Sequence, residues 1–170
     1  QTLLDEYAFR LVPADAAIDN RLIAVRRAVL DDLLADRELL AMYQRAESAE
    51  AARRKAAGDA RRVAITRPLT EAGLEAMIEL GQASLELGRF RRSQSWLERV
   101  LDHPEAGPEA RAAAWRMLGT ASAYQGDAKG VAHAAQALQA LGKAGKEPLA
   151  TLEQLQGYRA PDGPPRGVTP

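Results

Sequence analysis

Apolar residues return every three or four positions along most of this chain, in blocks that Gly and Pro separate. Leu3, Leu4, Tyr7, Ala8 and Leu11 form the first block and Pro13 closes it, which predicts a short amphipathic helix of about two to three turns. Asp5, Glu6 and Arg10 share that segment, so it lacks the cationic face of a membrane-surface helix. Asp15 can cap a second helix, because no Gly or Pro follows from Ala16 to Ala57. Its apolar stripe runs Ile18, Leu22, Val25, Val29, Leu33, Leu40 and Tyr43, interrupted at Asp36 and Arg37. Two readings follow: the chain turns near Ala35 and Asp36 into an antiparallel pair, or one helix of about 60 Å offers a coiled-coil seam.

Beyond Ala46 the apolar positions are nearly all alanine, which leaves little area to anchor the segment. Gly58 then stops the helix, and Arg53, Arg54 and Lys55 suit its C-terminal dipole. With Arg61, Arg62 and Arg67 they make the only strongly basic stretch, read as a solvated linker or, more sharply, as a dock for an acidic partner or phosphate. No aromatic residue is interleaved there for base stacking.

Leu74 to Gly142 states one pattern twice, after a start in which Thr70 is a helix cap and Leu69 and Leu74 a hydrophobic staple. The first copy holds Met77, Leu80-Gly81, Gly88, Phe90, Ser93, Leu97 and Val100. The second holds Trp115, Leu118-Gly119, Gly126, Val131, Ala135 and Leu138. Small residues such as Gly81 and Ser93 let two helices approach, large ones beside them fill the space, and the later glycine allows a positive φ at the turn. The copies are offset by 119 − 81 = 38 residues. This phrase resembles the tetratricopeptide (TPR) repeat, whose period is about 34. Extra residues fall in Asp102 to Glu109, where His103-Pro104 and Gly107-Pro108 mark a longer loop, and Ser84 and Ser122 stand where the family usually has an aromatic.

The resemblance implies an all-α fold, a TPR-like helical hairpin array (α-solenoid) of two repeats, about 74–107 and 112–142. Residues 1–67 are then an N-terminal helical segment and linker, and 68–159 the repeats plus a capping helix that starts at Pro148 and bears Leu149, Leu152, Leu155 and Tyr158 on one face. Residues 160–170 read as a Pro/Gly-rich tail. It further implies a concave partner surface at Glu75, Ile78, Gln82, Leu85 and Glu86 on one helix and Ala113, Arg116, Thr120, Ala123 and Tyr124 on another. The partner-binding residues assigned from it are Glu75, Ile78, Gln82, Leu85, Arg116, Thr120 and Tyr124. Family members that clamp a terminal carboxylate use Lys, Arg and Asn there; Arg116 alone remains, so the surface suits a segment with a basic and an aliphatic side chain instead.

Composition supports the same class: 46% hydrophobic residues but only 5% aromatic, with abundant alanine, describe helices packed through small side chains. Lys plus Arg equals Asp plus Glu at 23 each, so no global field favours nucleic acid or an acidic membrane. The Ala- and Arg-rich composition looks bacterial. Cysteine is absent, which excludes disulfides and thiol chemistry without choosing between cytoplasm and periplasm. The chain starts at Gln1 rather than Met, so what precedes it would decide localisation.

Catalytic apparatus is not evident. His103 and His133 lack a second ligand at helical spacing, no phosphate-binding or nucleophile motif occurs, and Glu71, Glu75 and Glu79 read as a solvated face. The sequence therefore predicts a non-enzymatic scaffold or assembly subunit that binds another protein or peptide, with no cofactor, no metal, no nucleic acid and no transmembrane segment. The alternative is a structural homo-oligomer formed through the long N-terminal helix.

Overall fold

The computed structural model describes residues 11–15 and 19–156, with side chains from 27 to 154. The chain divides into two compact units, one through Ala76 and one from Met77.

Strand β1 (Leu11–Asp15) pairs antiparallel with β2 (Asp19–Ala24), setting Val12 opposite Ile23 and Pro13 opposite Leu22, with a register shift between Pro13 and Asp15. Both strands of a two-stranded ribbon are edges, so Pro13 can sit in one without breaking a shared ladder. This corrects the N-terminal reading. Asp15 ends a strand opposite Asp19 rather than capping a helix, and Leu22 belongs to a ribbon rather than to a helical stripe. Val12, Leu22 and Ile23 suit a strand, and Asp19 and Asn20 are unfavourable in the interior of the helix expected from Ala16 on, so pairing wins locally. Leu11 falls in β1; the rest of the proposed first helix lies outside the described residues, as do Tyr158 and the 160–170 tail.

Helix begins at Val25. Helix α1 (Val25–Ala35) is followed by α2 (Arg37–Ala56), so no single helix spans 16–57. The break falls at Asp36, where the stripe is interrupted: its backbone is extended (φ −120°, ψ 109°) and its carboxylate accepts the N–H groups of Glu38 at 2.8 Å and Leu39 at 3.2 Å. The capping side chain replaces the helical bonds that a continuous helix would supply. Gly58 (φ +87°) ends α2 as foreseen, its N–H donating to the Lys55 carbonyl while Asp59 N–H donates to Arg54. These are the two bonds of a Schellman turn. Ala60–Thr66 then forms α3, with Val63 and Ala64 fully buried. The supposed solvated linker is thus a packed helix, because those two residues have an interior to enter. Thr70 is the cap expected of it, accepting from Gly73 N–H at 3.1 Å and donating to the Arg67 carbonyl at 2.9 Å. It opens α4 (Glu71–Glu86).

The second unit holds the rest of α4 and four more helices: α5 (Phe90–Leu101), α6 (Pro108–Tyr124), α7 (Ala128–Ala140) and α8 (Lys143–Gln156). Gly88 (φ +67°) and Gly126 (φ +72°) turn the chain with the bonds seen at Gly58: Arg89 N–H to Ser84 and Gly88 to Leu85, then Asp127 to Ser122 and Gly126 to Ala123. Gly81 lies against Leu97 so closely that a Cβ would sit 2.7 Å from a Leu97 methyl, and Ser93 Oγ donates to the Gly81 carbonyl at 2.8 Å. At Gly119 a Cβ would meet Leu152 at 2.7 Å and Ala134 at 3.0 Å. Ser122 is buried beside Gly130, whose Cβ would fall 2.3 Å from the serine hydroxyl; close approach takes the place of aromatic bulk.

Pro108 occupies the first turn of α6, and the preceding loop is tied down: His103 is buried with Nδ1 accepting from Glu105 N–H, and Arg111 Nε donates to the Ala106 carbonyl at 2.8 Å. Helix α8 starts at Lys143, ahead of Pro148, because Gly142 (φ +59°) turns the chain directly into the next helix. Its Leu152 is fully buried in a cluster with Ala112, Val131, Ala134 and Leu138. From Val25 onward the fold is all-α, with eight helices among the described residues. None of them is long and apolar enough to cross a membrane.

Candidate interaction site

Helix α4 turns Met77, Gly81 and Ser84 inward. Ile78, Gln82 and Leu85 each follow one of these by one residue, about 100° around the helix, so they form a flanking row: Ile78 and Leu85 half-buried, Gln82 exposed. Gln82 Nε2 donates to Glu86 Oε1 at 2.9 Å along that row. On α6 Arg116 and Thr120 take the places of Ile78 and Gln82 and are half-buried, while Tyr124, in the place of Glu86, is 53% exposed. Thr120 Oγ1 donates back to the Arg116 carbonyl at 2.9 Å, which fixes its side chain on the helix.

Two assigned residues have other engagements. Glu75 belongs to the first unit, where its carboxylate receives Lys55 Nζ at 2.8 Å. Tyr124 stacks on Phe90 of α5, with ring centroids 5.9 Å apart and planes 10° from parallel. That stack draws Tyr124 to the turn end of the hairpins rather than along the row it shares with Arg116.

The same end holds a group of residues of which only Gly88 and Phe90 belong to the repeat pattern. Gly88, Arg89, Phe90, Arg91, Arg92 and Gln125 line an open cleft of about 470 Å³. Arg89, Arg91 and Arg92 are exposed, and none has an ion-pair partner among the described residues. They crowd the opening of α5, which has no acidic residue in its first turn. Cations there oppose the helix dipole, so helix stability does not account for them. That adverse placement, Arg-Phe-Arg-Arg directly after a turn glycine, is the signal by which the sequence would have yielded the cleft.

The basic stretch from Arg53 to Arg67 behaves differently. Arg53 and Arg54 both bind Glu50, and Arg67 Nε reaches Glu47 Oε2 at 2.8 Å, so most of its charge is spent within the unit. Hydrogen bonding from Arg54, then the charges of Arg53 and Arg54, hold the Glu50 carboxyl below the usual carboxylate range against the opposing effect of burial. Of the histidines, His133 packs against Trp115 in a tilted, edge-type contact with ring centroids 5.0 Å apart, and among the described residues no three His, Cys, Asp or Glu gather as metal ligands. Compared with protein-family models, with curated proteins and with solved structures, the chain matches none.

Proposed function

We propose that this chain is a TPR-like helical scaffold that binds a segment of another protein on the flank formed by Ile78, Gln82 and Leu85 with Arg116, Thr120 and Tyr124. The observation that carries the reading is one hairpin form recurring with its small residues in register. Gly88 follows Gly81 by seven residues (88 − 81 = 7) and Gly126 follows Gly119 by seven (126 − 119 = 7), each in the same Schellman turn. Gly58 follows the fully buried Ala51 by the same seven (58 − 51 = 7), with the same two turn bonds. Counting onward from Ala51, Val63 and Arg67 take the positions of Ser93 and Leu97, and all four are buried. A degenerate unit ahead of the two legible ones brings the count to the three that such arrays need to stand alone. Arg and Tyr are the residue types that most often dominate binding energy. Replacing Arg116 and Tyr124 by Ala should lower partner capture from source-cell lysate about tenfold while circular dichroism stays unchanged. Undiminished capture would move the site elsewhere.

A second reading is self-association through α1 and α2, favoured by the exposure of Leu34 (45%), Leu39 (45%) and Met42 (53%) on either side of the Asp36 break. Molecular mass in solution separates the two: a dimer abolished by Leu39→Glu with Met42→Glu supports this reading, and a monomer rejects it.

A further inference from the structure

We infer that the turn end of the second unit is a docking surface for an acidic segment of a partner protein, held by Arg89, Arg91 and Arg92 around the Phe90–Tyr124 ring stack. It deepens the scaffold reading by giving the partner a charge, and it rests on residues other than the Arg116 row, Tyr124 being the one they share.

Acids and bases are equal in number in this chain, and among the described residues several cations of the first unit are held by acids: Arg27 on Asp31, Arg53 and Arg54 on Glu50, Lys55 on Glu75, Arg67 on Glu47. Arg99 lies over the Trp96 ring at 5.1 Å. Arg89, Arg91 and Arg92 have no carboxylate partner among the described residues and all line one cleft, which concentrates positive charge at this end of the unit. A guanidinium fork holds a carboxylate through two parallel bonds, and exposed forks make this arrangement without first losing an internal partner.

The apolar half of the surface is also present. Tyr124 is 53% exposed while its ring rests on Phe90, so it offers a stiff aromatic ledge, and Leu87 beside Gly88 is 65% exposed. Gly88 leaves open space where a Cβ would stand, and the turn bonds of Gly88 and Arg89 fix the backbone beneath. Aromatic and arginine groups on a preorganised turn are the makings of a binding hot spot. The matching ligand has two or more carboxylates next to an aromatic or aliphatic side chain.

Single-stranded nucleic acid also uses arginine and aromatic rings, but it needs a cationic track along its backbone. Here exposed Glu86, Glu98, Asp102 and Asp127 belong to the same unit, and the net charge is zero. A local acidic peptide fits this distribution better than a polyanion.

The test is fluorescence anisotropy with the full chain and a labelled peptide alternating Glu with Phe. Its probes for comparison are the same peptide with Gln for Glu and an oligothymidine of equal length. The acidic peptide should bind about tenfold more tightly than the Gln version and weaken as salt is raised. Arg91→Glu with Arg92→Glu should weaken it at least about tenfold at unchanged helicity, and Arg91→Gln with Arg92→Gln serves if the reversal disturbs folding. Arg116→Ala should change it by less than about twofold, so failure of the Arg116 surface and failure of this one read out separately. Equal binding of both peptides, or indifference to the arginine variants, overturns the inference. So does tighter binding of oligothymidine that the same variants abolish, which would assign a nucleic acid, or loss of self-association in them, which would assign a second copy.

Discussion

Glu47 and Arg67 occupy, in the unit that ends at Ala76, the positions that Met77 and Leu97 occupy in the next one. Both hairpins turn on a left-handed glycine with the same pair of backbone bonds, and both bury the residues counted from that glycine. One interior is closed by methyl groups set against a glycine. The other is closed by an ion pair whose guanidinium is 1% exposed and whose Nη2 has no hydrogen-bond partner among the described residues. Turn geometry and small-residue register thus set the hairpin, and either chemistry can fill it. They differ in tolerance: a buried ion pair is no stronger than a well-packed apolar pair, but removing half of it leaves an uncompensated charge.

The largest predicted effect exploits that difference. Glu47→Ala should destabilise the first unit by about 3–5 kcal/mol, read as a fall in the urea midpoint with an unchanged slope. Next, Leu152→Ala in the second unit should cost about 2–5 kcal/mol, because its side chain fills the space over Gly119 and Ala134. An unchanged midpoint would deny α8 its packing role.

The glycines sharpen the contrast more finely. Gly81→Ala forces Leu97 to move and should cost about 1–3 kcal/mol by overpacking. Gly58→Ala meets nothing within 4 Å and should cost only the left-handed backbone penalty, about 1 kcal/mol. Equal losses at the two sites would show that close helix approach is not what Gly81 provides. Smallest is the acid response of Glu50, whose folded pKa is depressed chiefly by Arg54. Its contribution is complete above the ordinary carboxylate range and is lost as pH falls through the lowered folded value. A urea midpoint followed downward from neutral pH should fall less steeply in Glu50→Gln than in the native chain.

Much of the second unit was legible because its register is written in residues with one physical use. Gly81, Gly88, Gly119 and Gly126 are required by close approach or positive φ, and Pro108 by the first turn of a helix. The first unit hid its register because Glu47 and Arg67 stand where apolar residues are sought, and alanine at position 51 looks like any other alanine of α2. The β-ribbon escaped because Leu11 and Leu22 fit blocks at helical spacing, while Val12 and Ile23, which pair across it, belong to neither block. Of the candidate site, the Arg116 row followed from the resemblance, whereas the arginine cleft needed the Phe90–Tyr124 stack, which joins residues far apart in the chain.

The claim beneath these comparisons is that residues around Gly58 form the same hairpin as those around Gly88, with its interior chemistry exchanged. Glu47→Met with Arg67→Leu in one chain installs the side chains that Met77 and Leu97 supply, and its urea midpoint is the most direct measurement. The account predicts a midpoint at or above the native value with helicity unchanged. A fall as large as that of Glu47→Ala alone would contradict it.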